Sequence, residues 1–323
     1  MLARNLPASQ TTEKVVENCP IVMGFDLKYA RAGFTVMQSV LETTPDAQFC
    51  AFNVLHDGLP DFAQRLGHLL FDGPRSSITF IDVRPHFDHL ELFETRHLSR
   101  AMYYRLLIPI LFRNAQAVIY LDSDMVCRRN IFAMVDALPP GACLGAVRDN
   151  ISRGDRARGA MMRDVMDHGP EDMLELSLAD YKRDVVGLDN PDRYFNSGMV
   201  FFRPSEITDS DVQACFDLCH APRYCPDQDI LNTIFGDRTH LLPERWNYVL
   251  TFPETVGLIP DDWMRHHREE EEHAAILHWP GPRKPWRDPS VPQAEVFLEM
   301  GRRLDERLQE VAPEFFKDVL PAS

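Results

Sequence analysis

Apolar positions in this chain fall into two patterns: short runs rich in β-branched and aromatic residues, and longer stretches in which hydrophobic residues recur every three or four places. The first is the signature of buried strands and the second of amphipathic helices, so their alternation predicts a sheet with helices on its faces. Strands are expected over 21–25, 48–55, 77–81, 117–122, 144–147 and 199–202, and helices over 31–41, 61–70, 99–112, 208–219 and 227–235. Residues 149–192 carry charge, Met and Gly with weak helical periodicity, which predicts an insertion acting as a lid or binding loop over one rim of the sheet. The expected organisation is a flexible arm over 1–18, one main α/β domain over 19–288 and a helical tail over 289–323.

Composition narrows the function. A chain of 323 residues with 45% hydrophobic content buries a full core. A net charge of -15 speaks against nucleic acid as a partner and against general attraction to anionic lipid. No apolar run approaches the roughly 20 residues of a membrane-spanning helix. The first eighteen residues lack the apolar core of a signal peptide. Seven cysteines, an odd number, fit reduced thiols and a cytoplasmic location. Cys215, Cys219, His220 and Cys225 lie close together without a Cys-x-x-Cys pair, so they read as half-buried helix residues rather than a zinc site. The acidic run Glu269 to Glu272, flanked by His266, His267 and His273, reads as a solvated face, because adjacent acids cannot converge on one point.

Candidate chemistry begins at Leu121-Asp122-Ser123-Asp124-Met125, directly after the apolar run that ends at Tyr120. Ligands of open α/β sheets bind beyond the C-terminal ends of the strands. Two carboxylates delivered there repel one another unless a hard cation lies between them, and a diphosphate is the natural cargo of such a cation. A second segment, His278-Trp279-Pro280-Gly281-Pro282-Arg283-Lys284-Pro285-Trp286, places a His after a short apolar strand. A Pro- and Gly-rich loop follows, with Lys284 at its end. Imidazole suits a transition metal and Lys a phosphate.

Six segments together resemble family 8 glycosyltransferases, the retaining family of bacterial lipopolysaccharide and lipooligosaccharide hexosyltransferases and of glycogenin. They are Asp26 to Tyr29, Tyr104-Arg105-Leu106, Tyr120 to Asp124, Phe195-Asn196-Ser197-Gly198-Met199, Asp227-Gln228-Asp229-Ile230-Leu231-Asn232 and the His278 to Trp286 clamp. The resemblance implies an A-type glycosyltransferase fold, a Rossmann-like mixed sheet flanked by helices, with 19–288 as the catalytic domain. It further implies a UDP-sugar donor, a glycan or glycolipid acceptor, and a manganese ion, with magnesium as the alternative. On that footing Asp122, Asp124 and His278 hold the metal, and Lys284 with the backbone N–H of Gly281 neutralises the departing UDP. Tyr29 stacks on uracil and Asp26 binds the nucleoside. Arg105, Asp149, Asn196 and Asp227 grip sugar hydroxyls, and Gln228 lies near the anomeric carbon. Lys28 departs from the Asn often found there in the family.

Retention allows a front-face substitution, in which the leaving phosphate takes the acceptor proton, or a double displacement through a nucleophile such as Asp227 or Asp229. Two other classes stay open from the residues alone. One is a haloacid-dehalogenase-like phosphatase, which also sets Asp-x-Asp after a strand; the other is a non-catalytic sugar-nucleotide-binding protein. A pyrophosphorylase would need a Gly-rich basic loop after the first strand, and Met23-Gly24-Phe25-Asp26 lacks it. Contact with a membrane is expected to be peripheral at most.

Overall fold

Two short apolar strands pair in parallel at the centre of the molecule: β1 (Ile21–Gly24) and β4 (Val118–Leu121). All but Gly24 are buried. A strand covered on both faces has no polar side, which is why these segments read as unbroken hydrophobic runs. In the computed structural model residues 19–93, 100–150, 176–251 and 260–313 are described. Beside β1 lie β2 (Cys50–His56) and β3 (Ser76–Asp82), both parallel to it. Beside β4 runs the antiparallel β7 (Phe195–Phe202), then β6 (Leu144–Arg148) and β8 (Thr239–Leu242). The outcome is a mixed seven-stranded sheet in the order β3-β2-β1-β4-β7-β6-β8.

A second, three-stranded sheet has β10 (Ile276–His278) between β5 (Met125–Cys127) and β9 (Tyr248–Val249). The chain leaves the large sheet at Leu121 and enters the small one at Met125, so residues 122–124 are the turn that joins the two. Backbone hydrogen bonds hold both ends of this turn. Asp122 N donates to Gly198 O at 2.8 Å, prolonging the β4/β7 ladder, and Trp279 N donates to Asp124 O at 3.0 Å, prolonging β5/β10.

Helices α1 (Leu27–Thr43), α2 (Asp61–Phe71) and the C-terminal α7 (Ala294–Val311) share one hydrophobic cluster with β1, β2 and β5. Leu304 and Leu308 of α7 are buried in it, and Arg31–Asp305 (2.6 Å) and Arg303–Glu42 (2.7 Å) ion pairs bind α7 to α1. A second cluster joins Tyr103, Tyr104 and Leu106 to α4 (Asp209–Asp217) and α5 (Pro226–Phe235). Cys215 and Cys219 belong to this apolar cluster, whereas His220 is exposed. Every described cysteine is a free thiol, and burial pushes the Cys219 thiol up to about 12.

Several expectations are corrected. The helix expected over 31–41 starts four residues earlier, because Asp26 caps it by accepting from Tyr29 N at 3.1 Å. The single helix expected over 99–112 is a 3-10 spiral, Arg100–Leu107, followed by one α turn, Ile108–Leu111. Pro109 has no N–H to continue an α ladder through this stretch. Strands β5, β8 and β9 were not anticipated, being too short to show a period. Of the insertion expected over 149–192, residues 151–175 lie outside the described residues; its later part contains a short helix, Leu178–Asp184. The arm over 1–18 and the tail beyond 313 also lie outside them. Among the described residues no helix is long and apolar enough to cross a membrane.

Candidate active site

At the junction of the two sheets Asp122, Asp124 and His278 converge, each offering one ligand atom within 4.8 Å of the others. Strand register explains the convergence. His278 pairs with Met125 across β5/β10, so its ring lies beside the preceding turn, with Nε2 3.3 Å from Asp124 Oδ1. Room for the ring comes from Gly198 on β7, where a Cβ would lie 2.4 Å from His278 Cε1. Gly198→Ala is therefore expected to push the imidazole out of line. Manganese affinity, measured by titration calorimetry, should fall at least about tenfold, as for loss of a supporting contact of a metal ligand. Unchanged affinity would show that the ring tolerates the methyl.

One oxygen of each carboxylate is held by protein donors. Asp122 Oδ1 accepts from Arg105 Nη2 (2.8 Å) and Tyr120 Oη (2.9 Å). Asp124 Oδ2 accepts from Lys284 Nζ, which also donates to Trp279 O at 2.9 Å. Asp124 Oδ1 is buried without a hydrogen-bond donor. A buried, undonated carboxylate oxygen facing an imidazole nitrogen suits a cation, and mixed carboxylate and imidazole ligation suits manganese better than calcium. Burial works to raise the pKa of both acids, with opposite net outcomes. For Asp122 burial prevails over the nearby Arg105 cation, and its pKa lies above the ordinary carboxylate value. For Asp124 burial is outweighed chiefly by the Lys284 ammonium, which donates to it, and its pKa is lowered.

Arg105 is 4% exposed and links the metal-side acids to the rest of the site. Its Nε lies 3.1 Å from Asp227 Oδ2, its Nη1 donates to Ser197 O, and its guanidinium stacks 4.3 Å from the Tyr120 ring centre. Burial alone would lower its pKa, but Asp122 and Asp227 reverse the sign and raise it. Asp227 also accepts from Ser197 Oγ at 2.9 Å. Two of the four residues expected to grip sugar, Arg105 and Asp227, thus bind one another.

A bulge on β7 builds the next layer. Ala146 faces Val200, yet Val147 faces Asn196, so residues 197–199 have no partner on β6. Their freed N–H groups bond side chains instead: Ser197 N donates to Gln228 Oε1 at 3.0 Å and Gly198 N to Asn196 Oδ1 at 3.0 Å. Gln228 Nε2 in turn donates to Asp149 Oδ2 at 2.7 Å. Asp229, by contrast, has no exposure, and its two oxygens accept from Tyr194 and Tyr181 hydroxyls at 2.5 Å each. Burial raises its pKa. It ties the Leu178–Asp184 helix and the start of β7 to α5, which removes it as a candidate nucleophile.

The clamp after β10 is anchored by Trp279, fully buried, whose Nε1 donates to Pro292 O at 2.8 Å. Gly281 is exposed with φ +84°, a conformation costly for other residues, and Lys284 points back to Asp124. Tyr29 is half-buried and packs edge-on against Trp286, ring centres 5.9 Å apart. One oxygen of Asp26 is occupied by its helix cap, and Lys28 is exposed.

Residues 20–290 match the sequence model described as "Glycosyl transferase family 8". The chain belongs to this family. It is 26% identical over 219 residues to the lipopolysaccharide 1,2-glucosyltransferase of Escherichia coli K12, a match covering 64% of this chain and 56% of that protein. To general stress protein A of Bacillus subtilis it is 26% identical over 287 residues, covering 82% of this chain and 86% of the relative. The fold is that of the A-type glycosyltransferases. A crystallised active-site mutant of LgtC superposes with a TM-score of 0.68 at 24% identity, covering 88% of this chain and 95% of LgtC. The bifunctional WbbM structure gives 0.73 at 24% identity, covering 88% of this chain and 49% of WbbM. Family membership sets aside the phosphatase reading of Asp-x-Asp.

Sequence reasoning missed Tyr120 as a partner of Asp122, Ser197 as a link between Arg105 and Asp227, and Asn247 behind His278. It also took His267 for part of a solvated face. Glu269 and Glu272 are indeed exposed, but His267 is buried against Glu244 and stacks on Tyr248 at 4.2 Å. One sign was visible: His267 lies three residues from the apolar Met264, on the inward side of a helical repeat.

Proposed function

We propose that this protein is a metal-dependent, retaining glycosyltransferase that moves a hexose, glucose or galactose, from a UDP-sugar to a saccharide of the lipopolysaccharide type. The observation that carries this reading is the convergence of Asp122, Asp124 and His278 beside Lys284 in a family 8 chain. Relatives named as lipopolysaccharide glucosyltransferases, and an LgtC structure with donor and acceptor sugar analogues, support the choice of donor and acceptor. The catalytic unit is residues 19–288. It acts in the cytoplasm, with peripheral contact at the inner face of the membrane.

Asp122, Asp124 and His278 hold a divalent ion, manganese or magnesium, which when bound withdraws charge from the diphosphate. The protein's own part is fixed geometry. Lys284, buried on Asp124, places an ammonium where negative charge grows as the bond from UDP to sugar breaks, helped by the backbone N–H of Gly281. Tyr29 and Asp26 receive the nucleoside. Asp149, Asn196 and Gln228 orient the hexose, with Asp227 and Arg105 bracing them.

With Asp229 buried and Asp227 engaged by Arg105 and Ser197, a front-face substitution is favoured, the leaving phosphate oxygen taking the acceptor proton. Lys284→Ala should lower the turnover number more than donor affinity, because its interaction strengthens in the transition state. A higher Michaelis constant with unchanged turnover would make Lys284 a ground-state contact. The reading as a whole is tested by UDP release from a panel of UDP-hexoses with manganese, with and without chelator. Binding without release would instead describe a non-catalytic sugar-nucleotide protein.

A further inference from the structure

Asn247 has no solvent exposure and ends the 3-10 turn Glu244–Asn247, directly before β9. Its side chain joins two ends of the site. Asn247 Nδ2 donates to Asn196 Oδ1 at 2.8 Å, while Asn247 Oδ1 lies 2.9 Å from His278 Nδ1. Beyond Asn196, its Nδ2 donates to Gln228 Oε1 at 3.1 Å, and Gln228 Nε2 donates to Asp149 at 2.7 Å. Four polar contacts thus run in series from the imidazole to a carboxylate.

An amide side chain reads equally well in two orientations unless its neighbours choose between them. Here they choose. Backbone N–H groups can only donate, so Ser197 N fixes the carbonyl end of Gln228 and Gly198 N that of Asn196. Asn196 Oδ1 then requires a donor from Asn247, which turns the Asn247 carbonyl to His278. A carbonyl oxygen can only accept, so the ring must carry its proton on Nδ1. In the neutral ring the lone pair is then left on Nε2, which lies 3.3 Å from Asp124 Oδ1.

We propose that Asn247 is a positioning residue which, at the end of this one-way chain of amides, locks neutral His278 as the Nδ1–H tautomer and keeps Nε2 free for the metal. This rests on the proposed function, since it assigns the polarity of one of that site's ligands. The bulge on β7 acquires a purpose through it: the two N–H groups it frees from the sheet set the direction of the whole chain. Hydrogen bonding of the second ring nitrogen is the general means by which proteins orient a metal-binding histidine, and its loss costs about 10- to 100-fold in metal affinity.

The test uses full-length protein labelled with 15N-histidine, free of metal, in mildly alkaline buffer. Long-range 1H–15N spectra distinguish the tautomers, and His278→Gln identifies the His278 signals by their disappearance. The expected pattern in the wild type is a protonated Nδ1 and a bare Nε2. In Asn247→Ala the signals should move to an Nε2–H form or a mixture, and affinity for manganese alone, followed by electron paramagnetic resonance of free ion, should fall about 10- to 100-fold. An Nε2–H or doubly protonated His278 in the wild type overturns the proposal, as does an unchanged manganese affinity in a folded Asn247→Ala. If that variant does not fold, the wild-type spectrum decides alone. Absence of manganese binding by the wild type would contradict the proposed function, whereas the metal-free spectrum judges the tautomer independently.

Discussion

Replacing Asp124 with Asn, or His278 with Ala, is expected to cut turnover by about 10²- to 10³-fold, the range for losing one preorganised electrostatic element of a site. Both changes strike the same contact, because Asp124 Oδ1 and His278 Nε2 face each other across 3.3 Å. Asp124→Asn has a second effect: Lys284 loses the carboxylate that holds it, so the ammonium is no longer aimed at the leaving group. The Asp124 variant should therefore be the more damaged of the two. Steady-state rates at saturating manganese and donor, together with calorimetric titration of manganese and UDP, decide the matter. Unchanged affinity and turnover in both variants would remove the three-ligand site.

Arg105→Ala is expected to be the most destabilising single change in the site, by about 3–5 kcal/mol, the usual result of stripping one partner from a buried ion pair. The guanidinium lies between Asp122 and Asp227, whose side chains are 25% and 9% exposed, so its removal leaves two poorly solvated carboxylates near each other. Arg105→Lys should recover only part of the loss, since one ammonium cannot reproduce the fork that meets Asp122, Asp227 and Ser197 O together. Urea unfolding of the three proteins measures this. A loss below about 1 kcal/mol, as for an exposed pair, would mean that the acids find other partners.

How legible the site was in the sequence depended on whether a residue acts through its own strand or through tertiary packing. Asp122 and Asp124 could be read directly, because an apolar strand followed at once by acids is a local pattern. His278 could be marked as a candidate from its place after a short apolar strand, but joined to Asp122 and Asp124 only through the family resemblance, since the β5/β10 register that brings it to Asp124 leaves no periodic trace in strands of three residues. Arg105 was recognised but its setting was not: a 3-10 spiral followed by one α turn that contains Pro109 looks like an amphipathic helix until its backbone is seen. Asp229 stayed open as a nucleophile for the rival route because burial, which spacing does not reveal, is what sets it apart. Asn247 was invisible for a related reason, as it lies in a four-residue turn and its partners come from β7 and β10. The main strands and α2 were found within a few residues, because they carry long or strongly apolar repeats.

The central claim, retaining hexosyl transfer from a UDP-sugar, is tested most directly by the anomeric form of the first sugar released. The protein is incubated with a UDP-α-hexose and manganese in the absence of acceptor, so that water takes the sugar. Samples are chelated and observed by proton NMR before mutarotation. The account predicts UDP together with the α-hexose, identified by its small anomeric coupling. Release of the β-hexose first, or of phosphate in place of UDP, would contradict it.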